Sequence, residues 1–537
     1  MVNKLSCILK TVTDYGICIY LVLILGIIPY YNQEGYSHIG TDKARFFDTT
    51  ISYMGRLLLP VAGTYLITCI YLHRKDLKNR LRNIFSMTDY FAIGYGVALL
   101  ISWGFSNYRK NALWGAKGWF MGLLPQLALV LCYLMVSKLW TPRKWVVYLS
   151  LAVSWTVFLL GWLNRAGFDP LGMGTDNTSF ISTIGNINWY CGYMMSIFFV
   201  GAGILWQFHE GNLLWKLLLM VYVFIGFGSL LAQGSDSGML TLAVVVLVMF
   251  ALSVSESERM RMLWLEMVLL GGACVITYIM RAALSNESYS ISVGVGLILV
   301  TGWRPFAVTI VSVLGLVFVD WSIKQGKYPS KVFGFIAKII AGLTVTGALL
   351  YVVALAVNTL RPGSLGPLSE NAWFIFSDKW GSSRGATWKA GWMCFMEQNY
   401  LHKLVGIGPD AMSFFEYDAG SVELQSLLKE NFGSSVLTNA HNEWLTVLID
   451  VGILGLITFV GMVLTGIWQL LKKDRNRVTF ACGLCLLAYT VNNMFSFQQT
   501  INASTMFAIF GIGGAFLRAS TNCYAHNSKF PAEKDII

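Results

Sequence analysis

The chain has 537 residues, of which 55% are hydrophobic and only 12% charged, and its formal net charge at pH 7 is +11. Soluble domains carry about 25% charged residues, so this composition excludes a soluble protein and predicts an all-α, polytopic integral membrane protein. The positive charges are concentrated in short segments between apolar runs. They indicate membrane topology and give no reason to expect a nucleic-acid partner.

Apolar segments long enough to cross a bilayer recur through residues 1–357, which form the predicted N-terminal transmembrane region. The first segment follows Lys4 and Lys10 and has no small-residue cleavage site after it, which predicts an uncleaved helix. One part is ambiguous: around Trp303-Arg304-Pro305, either one of two segments is re-entrant or both form one broken span. The predicted spans lie at about 12–30, 52–72, 86–104, 118–137, 145–163, 186–206, 215–232, 239–254, 263–280, 291–303, 306–320 and 334–356.

Basic clusters at 73–82, Arg143-Lys144 and 472–477 mark the cytoplasmic side by the positive-inside rule. Alternation of the spans then places residues 358–437 outside, as one large extracytoplasmic loop between late helices. Residues 438–537 would supply the last spans and a short cytoplasmic tail. These spans are predicted at about 443–470, 478–497 and 502–518. With 291–303 and 306–320 counted as a single crossing, the total is about fourteen transmembrane helices.

The loop 358–437 is too long to be a simple connector. Residues Arg384 to Gln398 alternate polar side chains with Trp388, Trp392 and Phe395, which predicts an amphipathic helix lying on the membrane surface. Such a loop would cover a cavity that faces the outer leaflet; the alternative is a lid that serves stability alone. Only one of the ten cysteines, Cys394, lies here, so a disulfide within the loop is excluded.

The stretch from Thr438 to Leu456 leads from this loop back into the membrane. Thr438 or Asn439 is predicted to cap a helix that runs without proline to about Leu471. His441 and Asn442 would then lie in its first turn, where the positive end of the helix dipole keeps the imidazole neutral and available as a base. The alternative is a polar cap at the interface with no chemistry.

Three motifs of this half resemble those of the O-antigen ligase and O-antigen polymerase family. Ala440 to Gly455 reads A-H-N-x-x-L-x-x-L-x-[DE]-x-G-x-x-G, which resembles the family signature. Ser383 to Trp388 and Gly406-Ile407-Gly408-Pro409 resemble its R-x-x-x-W and G-x-G elements, in the same order and in the same loop. The glycine turn at Gly406 to Pro409 is expected to shape the loop rather than to bind phosphate. The resemblance implies an O-antigen ligase-like domain over about residues 220–515.

The resemblance implies a glycosyltransferase at the outer face of the bacterial cytoplasmic (inner) membrane, acting in surface polysaccharide biosynthesis. Its donor would be a glycan on polyprenyl (undecaprenyl) pyrophosphate. His441 would activate or orient the acceptor hydroxyl, and Arg384 would neutralise the departing pyrophosphate. Asn442 and Glu443 would support His441, and Lys389 is a weaker candidate for contact with lipid phosphate. The acceptor, a glycan, a lipid or a protein, stays open, and with it the choice between ligase and polymerase.

Two polar sites in the first half of the chain correspond to elements of the family pattern, one by resemblance and one by departure. Asn186 and Asn188 resemble its N-x-N element and would hydrogen-bond sugar hydroxyls. Asp236, in Ser235-Asp236-Ser237, stands where many members carry arginine. Either the donor differs, or another basic group replaces that arginine, while Asp236 would orient an acceptor or pair with Arg384. The candidate replacements are Arg165, Arg281 and Lys389.

No cluster of carboxylates, histidines or cysteines shows metal-binding spacing on the outer side, which predicts metal-independent chemistry without a cofactor. No phosphate-binding G-x-x-x-x-G-K-[ST] loop is present, so ATP is not expected to drive the reaction. An alternative of another class is a flippase or transporter of lipid-linked oligosaccharide. That function predicts charged residues at mid-membrane depth and inverted repeats.

Overall fold

The computed structural model describes residues 2–72, 74, 84–174, 178–209, 211–284, 294–472 and 475–526. The one sheet in these ranges is a short antiparallel pair, Phe180–Ile181 with Gly185–Asn186. Eleven described helices are long and apolar enough to cross a membrane. The protein is therefore an almost entirely helical, multi-pass membrane protein, in agreement with the predicted class. The total of fourteen spans and the outer position of the loop stay predictions.

Each predicted span of the first half contains a helix, but the first two helices begin ten and thirteen residues before the predicted starts at 12 and 52. A five-residue π-helix, Leu23–Ile27, continues the first helix. The bounds are α1 Val2–Val22, α2 Ile39–Leu72, α3 Met87–Phe105, α4 Arg109–Ala112, α5 Leu123–Leu139, α6 Lys144–Arg165, α7 Ile187–Trp206, α8 Leu213–Ala232, α9 Asp236–Ser253 and α10 Ser257–Ala283.

The second half contains four helices that are candidate spans by length and hydropathy, and one shorter apolar helix, α19. Two 3-10 turns, Gly366–Glu370 and Ala372–Phe374, precede α14. The bounds are α11 Val295–Leu299, α12 Arg304–Lys324, α13 Ser330–Leu360, α14 Trp380–Glu397, α15 Tyr400–Val405, α16 Met412–Asp418, α17 Val422–Phe432, α18 Glu443–Leu470, α19 Arg477–Asn492 and α20 Thr500–His526.

The ambiguous region around Trp303 contains one long helix and one short one. The described part of the segment predicted at 291–303 contains only the five-residue α11, whereas α12 has 21 residues and qualifies as a span. Residues 291–293 lie outside the described ranges, as do most of the basic cluster at 73–82 and residues 473 and 474 of the cluster at 472–477.

Local chemistry explains two of the helix ends. Ser86 and Asp89 form a capping box at the start of α3, each side chain accepting the backbone N–H of the other residue. At the end of the π-helix, the buried Lys43 ammonium donates to the carbonyls of Ile28, Pro29 and Tyr31 at 2.9, 3.0 and 3.0 Å. Its three N–H groups satisfy carbonyls that the end of a helix leaves without partners.

The central helix is α7. In its most apolar stretch of 18 residues, 94% of the residues are buried inside the protein. It packs against α19 and α20, which lie about 300 residues later in the chain. Cys191 donates from Sγ to Asn492 Oδ1 at 3.3 Å, and Ser196 donates from Oγ to the Asn502 carbonyl at 3.0 Å. These contacts join the first half of α7 to the last residue of α19 and to the start of α20.

The segment between α13 and α18 is largely helical and has a hydrophobic cluster of its own. Small residues of α14 face α18, and a Cβ placed on Gly391 would lie 3.0 Å from the side chains of Ala440 and Leu445. Trp392 stays 54% exposed on the opposite side of α14. The cluster consists of Ala112, Ala390, Cys394, Phe395, Ile407, Ala411, Met412, Phe415, Leu424, Leu428, Leu437, Ala440 and Ile449.

Candidate functional site

His441 precedes α18 rather than lying within it. The helix begins at Glu443, and Asn442 is its cap, accepting the Leu445 N–H at 3.1 Å. The prediction that Thr438 or Asn439 caps this helix, with His441 and Asn442 in its first turn, is therefore wrong. Asn439 instead accepts the His441 N–H at 2.9 Å, which stabilises a turn in which His441 has a φ of +49°.

The imidazole of His441 is half-buried and packs edge-on against Phe497, with ring centroids 4.8 Å apart. Within the described part of the chain no hydrogen bond reaches its ring nitrogens. Burial, and secondarily the nearby positive charge of Arg384, lowers the pKa of His441 to about 4. The ring is thus neutral at physiological pH, with nitrogens available to a ligand.

Arg384 begins the regular part of α14, after Gly381, Ser382 and Ser383 in left-handed conformations. Its Nε donates to the Phe495 carbonyl and its Nη1 to the Gly381 carbonyl, both at 2.8 Å. No acceptor among the described residues bonds Nη2. Burial lowers the pKa of the guanidinium, and the negative charge of Asp236 opposes that effect. The group is held by two carbonyls and keeps one edge of its fork available.

The turn between α19 and α20 brings these groups together. It supplies the carbonyl that holds Arg384 and the ring that packs on His441. It also supplies Gln498, which donates to Glu443, as does Asn493 at the end of α19. The Glu443 N–H donates to the Asn493 carbonyl at 2.9 Å. Glu443 is buried and positions the start of α18; it does not reach the surface beside His441.

Helix α18 is broken at Gly452, and the break joins two of the three motifs. The helix ends at Leu470, close to the predicted Leu471, but Gly452 has φ 74° and ψ −174°, so its course is broken at this residue. The Asp450 carbonyl accepts from the Gly408 N–H at 3.0 Å and from Ser102 Oγ at 2.6 Å. The Gln398 amide donates to the Ile449 carbonyl at 3.2 Å. The G-x-G turn thus supports the break, which agrees with a structural role.

Four aromatic rings form a row that ends at His441. Trp189 of α7 contacts Trp119 with centroids 6.1 Å apart, and Trp119 contacts Phe497 at 4.5 Å, both edge to face. Phe497 then contacts His441. Trp119 and Trp189 are half-buried, so the row presents apolar ring surface between the start of α7 and the imidazole.

Asn186 and Asn188 lie at the α7 end of this row. Asn186 caps α7 by accepting the Asn188 N–H at 2.9 Å, so its carbonyl oxygen is used in the fold. Asn188 is half-buried in the first turn. This predicted sugar-binding element therefore lies at the far end of the ring row from His441, and among the described residues no direct hydrogen bond joins the two.

Asp236 is the first residue of α9 and is exposed. It lies close enough to Arg384 for its charge to act on the guanidinium, yet no ion pair within 4 Å joins the two among the described residues. Its Oδ1 accepts the Val295 N–H at 2.7 Å. Beside it, buried Arg165 donates to the Gln233 carbonyl at 3.1 Å. Arg165, one of the predicted replacements for the missing arginine, thus lies against the turn that precedes Asp236.

Lys389 is engaged elsewhere. Its ammonium forms an ion pair with Asp378 at 2.5 Å, and Asn431 also donates to that carboxylate, at 3.2 Å. The hydrogen bond from Lys389 holds the pKa of Asp378 below its usual range. Arg281, at the end of α10, has no contact that links it to Arg384 within the described ranges. Of the basic groups considered, Arg384 is the one placed beside His441.

A small cavity lies next to Glu443, with three carboxyl groups in its wall. Asp410 accepts the N–H groups of Ala116 and Met121 at 2.8 and 3.0 Å, and burial nevertheless raises its pKa to about 7. Asp450 accepts the Asp410 N–H at 3.1 Å. The described residues contain no group of three or more His, Cys, Asp or Glu side chains suited to hold a metal ion.

Sequence reasoning missed Trp119, Phe497, Asn493 and Gln498. A usable signal was present, because polar and aromatic residues cluster in Phe495-Ser496-Phe497-Gln498-Gln499, between two spans that end on the same side as His441. No protein-family model matches the chain, and no curated protein matches it either.

Proposed function

We propose that this protein is an O-antigen ligase-like glycosyltransferase. It transfers a glycan from a polyprenyl pyrophosphate carrier to an acceptor hydroxyl at the outer face of the cytoplasmic membrane. The observation that carries the proposal is the pairing of a neutral, half-buried His441 with a carbonyl-held Arg384 at one end of a helical membrane protein. Residues from separate motifs supply these two groups, and the α19–α20 turn joins them.

His441 has the properties that a general base needs. Its ring is neutral because burial and Arg384 disfavour the imidazolium. When the acceptor oxygen forms its bond to the anomeric carbon, the hydroxyl proton moves to an imidazole nitrogen. General bases of this kind contribute about 10²- to 10⁴-fold to rate. The proton later returns to solvent, which restores the neutral ring.

Arg384 has the properties needed to stabilise the negative charge of the departing pyrophosphate. The bond between the anomeric carbon and the pyrophosphate oxygen breaks as the new glycosidic bond forms, and the electron pair stays with pyrophosphate. A guanidinium held by two carbonyls is pre-oriented toward that developing charge, and its free edge suits bidentate contact with phosphate oxygens. Neither of these roles needs a metal ion, so we expect transfer to persist in EDTA.

The aromatic row offers a surface for the sugar part of a substrate. Rigid rings provide apolar contact area at a low cost in conformational entropy, and the C–H faces of sugar rings pack on such surfaces. Trp119 lies between Trp189 and Phe497, within reach of both the Asn188 end and the His441 end. The acceptor class stays open between glycan, lipid and protein.

The test is transfer by the purified protein in nanodiscs, with a polyprenyl pyrophosphate-linked glycan as donor and EDTA present. Release of polyprenyl pyrophosphate and growth of the acceptor are both followed. We expect His441→Ala to lower transfer by about 10²- to 10⁴-fold. His209→Ala is the matched control, because His209 follows the C-terminal end of α7, far from the Asn186 end that faces the site. This variant should transfer the glycan at the normal rate.

Arg384→Lys is expected to be severe as well, because an ammonium cannot reproduce the planar fork. Thermal denaturation of each variant separates loss of fold from loss of chemistry. Normal transfer by both His441→Ala and Arg384→Lys would refute the site. Movement of the donor across the bilayer without cleavage would instead identify a flippase. Product length distinguishes single ligation from polymerisation.

A further inference from the structure

The small cavity beside Glu443 has an acidic wall that contains no positive charge. Asp410, Glu443 and Asp450 line the cavity, and all three side chains are buried. No lysine, arginine or histidine lies among the described residues that line it. None of the three carboxyl groups forms an ion pair with a described residue. Acidic side chains are almost never fully buried unless they are paired, so this wall lacks the cation that it would need.

Two carboxyl oxygens of the wall are left without donors. Asp450 Oδ2 accepts the Asp410 N–H at 3.1 Å, whereas Asp450 Oδ1 has no hydrogen-bond partner among the described residues. Asp450 is only 3% exposed, so bulk solvent does not supply that partner. Asp410 accepts the Ala116 and Met121 N–H groups with Oδ2 alone, which leaves its Oδ1 unused by the described residues. Because buried polar atoms are nearly always bonded, these oxygens call for a ligand that donates hydrogen bonds.

The backbone fixes the three carboxyl groups before any ligand binds. Glu443 and Asp450 are seven residues apart on one face of α18, about 10 Å along the helix. Asp410 directly follows the G-x-G-Pro turn and has a φ of +56°, a left-handed conformation that is strained for a residue other than glycine. The chain opposite Asp410 approaches through Gly115, where a Cβ would overlap Asp410 Oδ2. The acidic wall is therefore preformed.

The cavity adjoins the aromatic row. Trp119 and Phe497, the adjacent rings of the row with centroids 4.5 Å apart, both line it. Phe497 also packs on the His441 ring, and Asn439, another residue of the wall, accepts the His441 N–H at 2.9 Å. A sugar that lies on these rings would therefore have the cavity beside it and the imidazole at the end of the row.

The size and chemistry of the cavity restrict its occupant. Its volume is about 40 Å³, and one water-sized group needs about 10–15 Å³, so about three such groups fit. A sugar ring is too large, but a small substituent on the ring can enter. A metal ion is a poorer occupant, because the described residues contain no group of three His, Cys, Asp or Glu side chains suited to hold one. A primary ammonium group supplies three N–H donors together with the missing positive charge.

We infer that this cavity binds a primary ammonium group of the substrate, so that the sugar on the aromatic row carries a free amino group. The inference rests on the proposed function, since the row is its sugar surface. Asp450 Oδ1 and Asp410 Oδ1 would accept N–H bonds from the ammonium, and hydrogen bonds between charged groups are about twice as strong as neutral ones. Without a ligand, burial raises the pKa of Asp410 to about 7, so a proton takes the place of the missing cation.

The test uses methylammonium chloride as probe and the denaturation midpoint of the full protein in detergent as readout. We expect methylammonium to raise the midpoint in a saturable way. Tetramethylammonium chloride at the same concentration should not, because it is larger and has no N–H donor. Asp450→Asn should weaken the apparent Kd of methylammonium roughly tenfold or more, since it removes a hydrogen bond to a charged acceptor.

Asp378→Asn is the matched control for this variant. Asp378 is another acidic residue on the same side of the protein, but it pairs with Lys389 and does not line the cavity. Its substitution should leave the apparent Kd unchanged. Val447→Leu is a second test that keeps every carboxyl group, because Val447 lines the cavity and a larger side chain there would leave less room. It should also weaken methylammonium binding.

Three results would overturn the inference. The first is equal stabilisation by methylammonium and tetramethylammonium, and the second is unchanged methylammonium binding in both Asp450→Asn and Val447→Leu. The third is stabilisation by sodium chloride as strong as that by methylammonium, which would assign the cavity to a metal cation.

Two kinds of molecule carry a primary ammonium group, amino sugars and ethanolamine lipids, and a second set of probes distinguishes them. Methyl glucoside is compared with its 2-amino and 6-amino derivatives and with glycerophosphoethanolamine. At least one amino derivative should bind roughly tenfold tighter than methyl glucoside, and Trp119→Ala should remove that gain. Equal binding of the three glycosides would refute the amino sugar, and tightest binding of glycerophosphoethanolamine would assign the cavity to a lipid headgroup instead.

The same measurement in His441→Ala separates this inference from the proposed function. Binding of an ammonium group needs no transfer, so methylammonium should stabilise that variant as it does the wild type. Specific binding without any transfer by the wild type would leave the ammonium site in place and refute the glycosyltransferase. Transfer that depends on His441, without methylammonium binding, would leave the enzyme in place and refute the ammonium site.

Discussion

Replacing Gly452 with alanine tests whether the break in α18 builds the site. The residue has φ 74° and ψ −174°, a region that is essentially restricted to glycine. A Cβ there would lie 2.5 Å from the Gly406 nitrogen and from the carbonyl carbon of Leu404. Both are backbone atoms of the supporting turn, so neither can rotate away as a side chain would.

The expected cost has two parts. Forcing alanine into this conformation costs about 1–3 kcal/mol, and overpacking against backbone costs about 1–3 kcal/mol more. Gly452→Ala should therefore lose about 2–6 kcal/mol of stability. A shift of about 1 Å in the first turns of α18 would also lower transfer by about 10²-fold, since catalytic groups tolerate little displacement.

The assay is thermal denaturation of the purified protein in detergent, followed by transfer measured on the folded fraction. Gly347→Ala is the control, because a Cβ on Gly347 meets nothing within 4 Å and alanine favours a helix over glycine. Its midpoint should match or exceed that of the wild type. A Gly452→Ala protein with the wild-type midpoint and transfer rate would show that the break is not required.

Two pH dependences follow from the buried groups. Because burial and Arg384 lower the pKa of His441 to about 4, transfer should be constant from pH 8 down to about 5, and a decline centred near pH 6.5 would contradict this. Asp410, with a pKa raised by burial to about 7, keeps a proton that the unfolded chain has lost above about pH 4. Stability should then fall as pH rises toward 7, by at most about 1.4 kcal/mol per pH unit, and level off above it. Asp410→Asn should weaken that slope in denaturation series, and an unchanged slope would assign it to another group.

The helices were predictable because each span carries its own apolar signal. The spans predicted at 186–206, 215–232 and 443–470 correspond to α7, α8 and α18, and their ends differ by at most about three residues. The span predicted at 239–254 begins earlier, at Asp236, because its first turn is polar and adds nothing to hydropathy. Segment 291–303 was apolar but gave only a short helix within its described part.

The site was predictable only in part. Motif resemblance indicated His441 and Arg384, but the choice of Asn442 as cap depended on contacts far away in sequence. Thr438, Asn439 and Asn442 are all good capping residues. The hydrogen bonds that Asn493 and Gln498 donate to Glu443 fix the start of α18 at Glu443.

The break at Gly452 was hidden for the same reason. Its freed carbonyls find donors in Gly408, Ser102 and Gln398, which no local pattern reveals. Lys389 could likewise not be assigned from its position alone, since its partner Asp378 lies eleven residues earlier on the far side of a left-handed turn. Long-range partners, rather than propensities, decide these details.

The burial of α7 has a consequence for biogenesis. This helix is synthesised in the first 206 residues, yet Asn492 and Asn502, which bond Cys191 and Ser196, are made about 300 residues later. At about 5–20 residues per second, α7 waits roughly 15–60 s for these partners. During that interval the polar groups of its first turns lie in the nascent bundle without their final partners. A ribosome stalled before α19 would leave the protein without the neighbours of its central helix, so quality control should recognise such truncated chains by exposed α7.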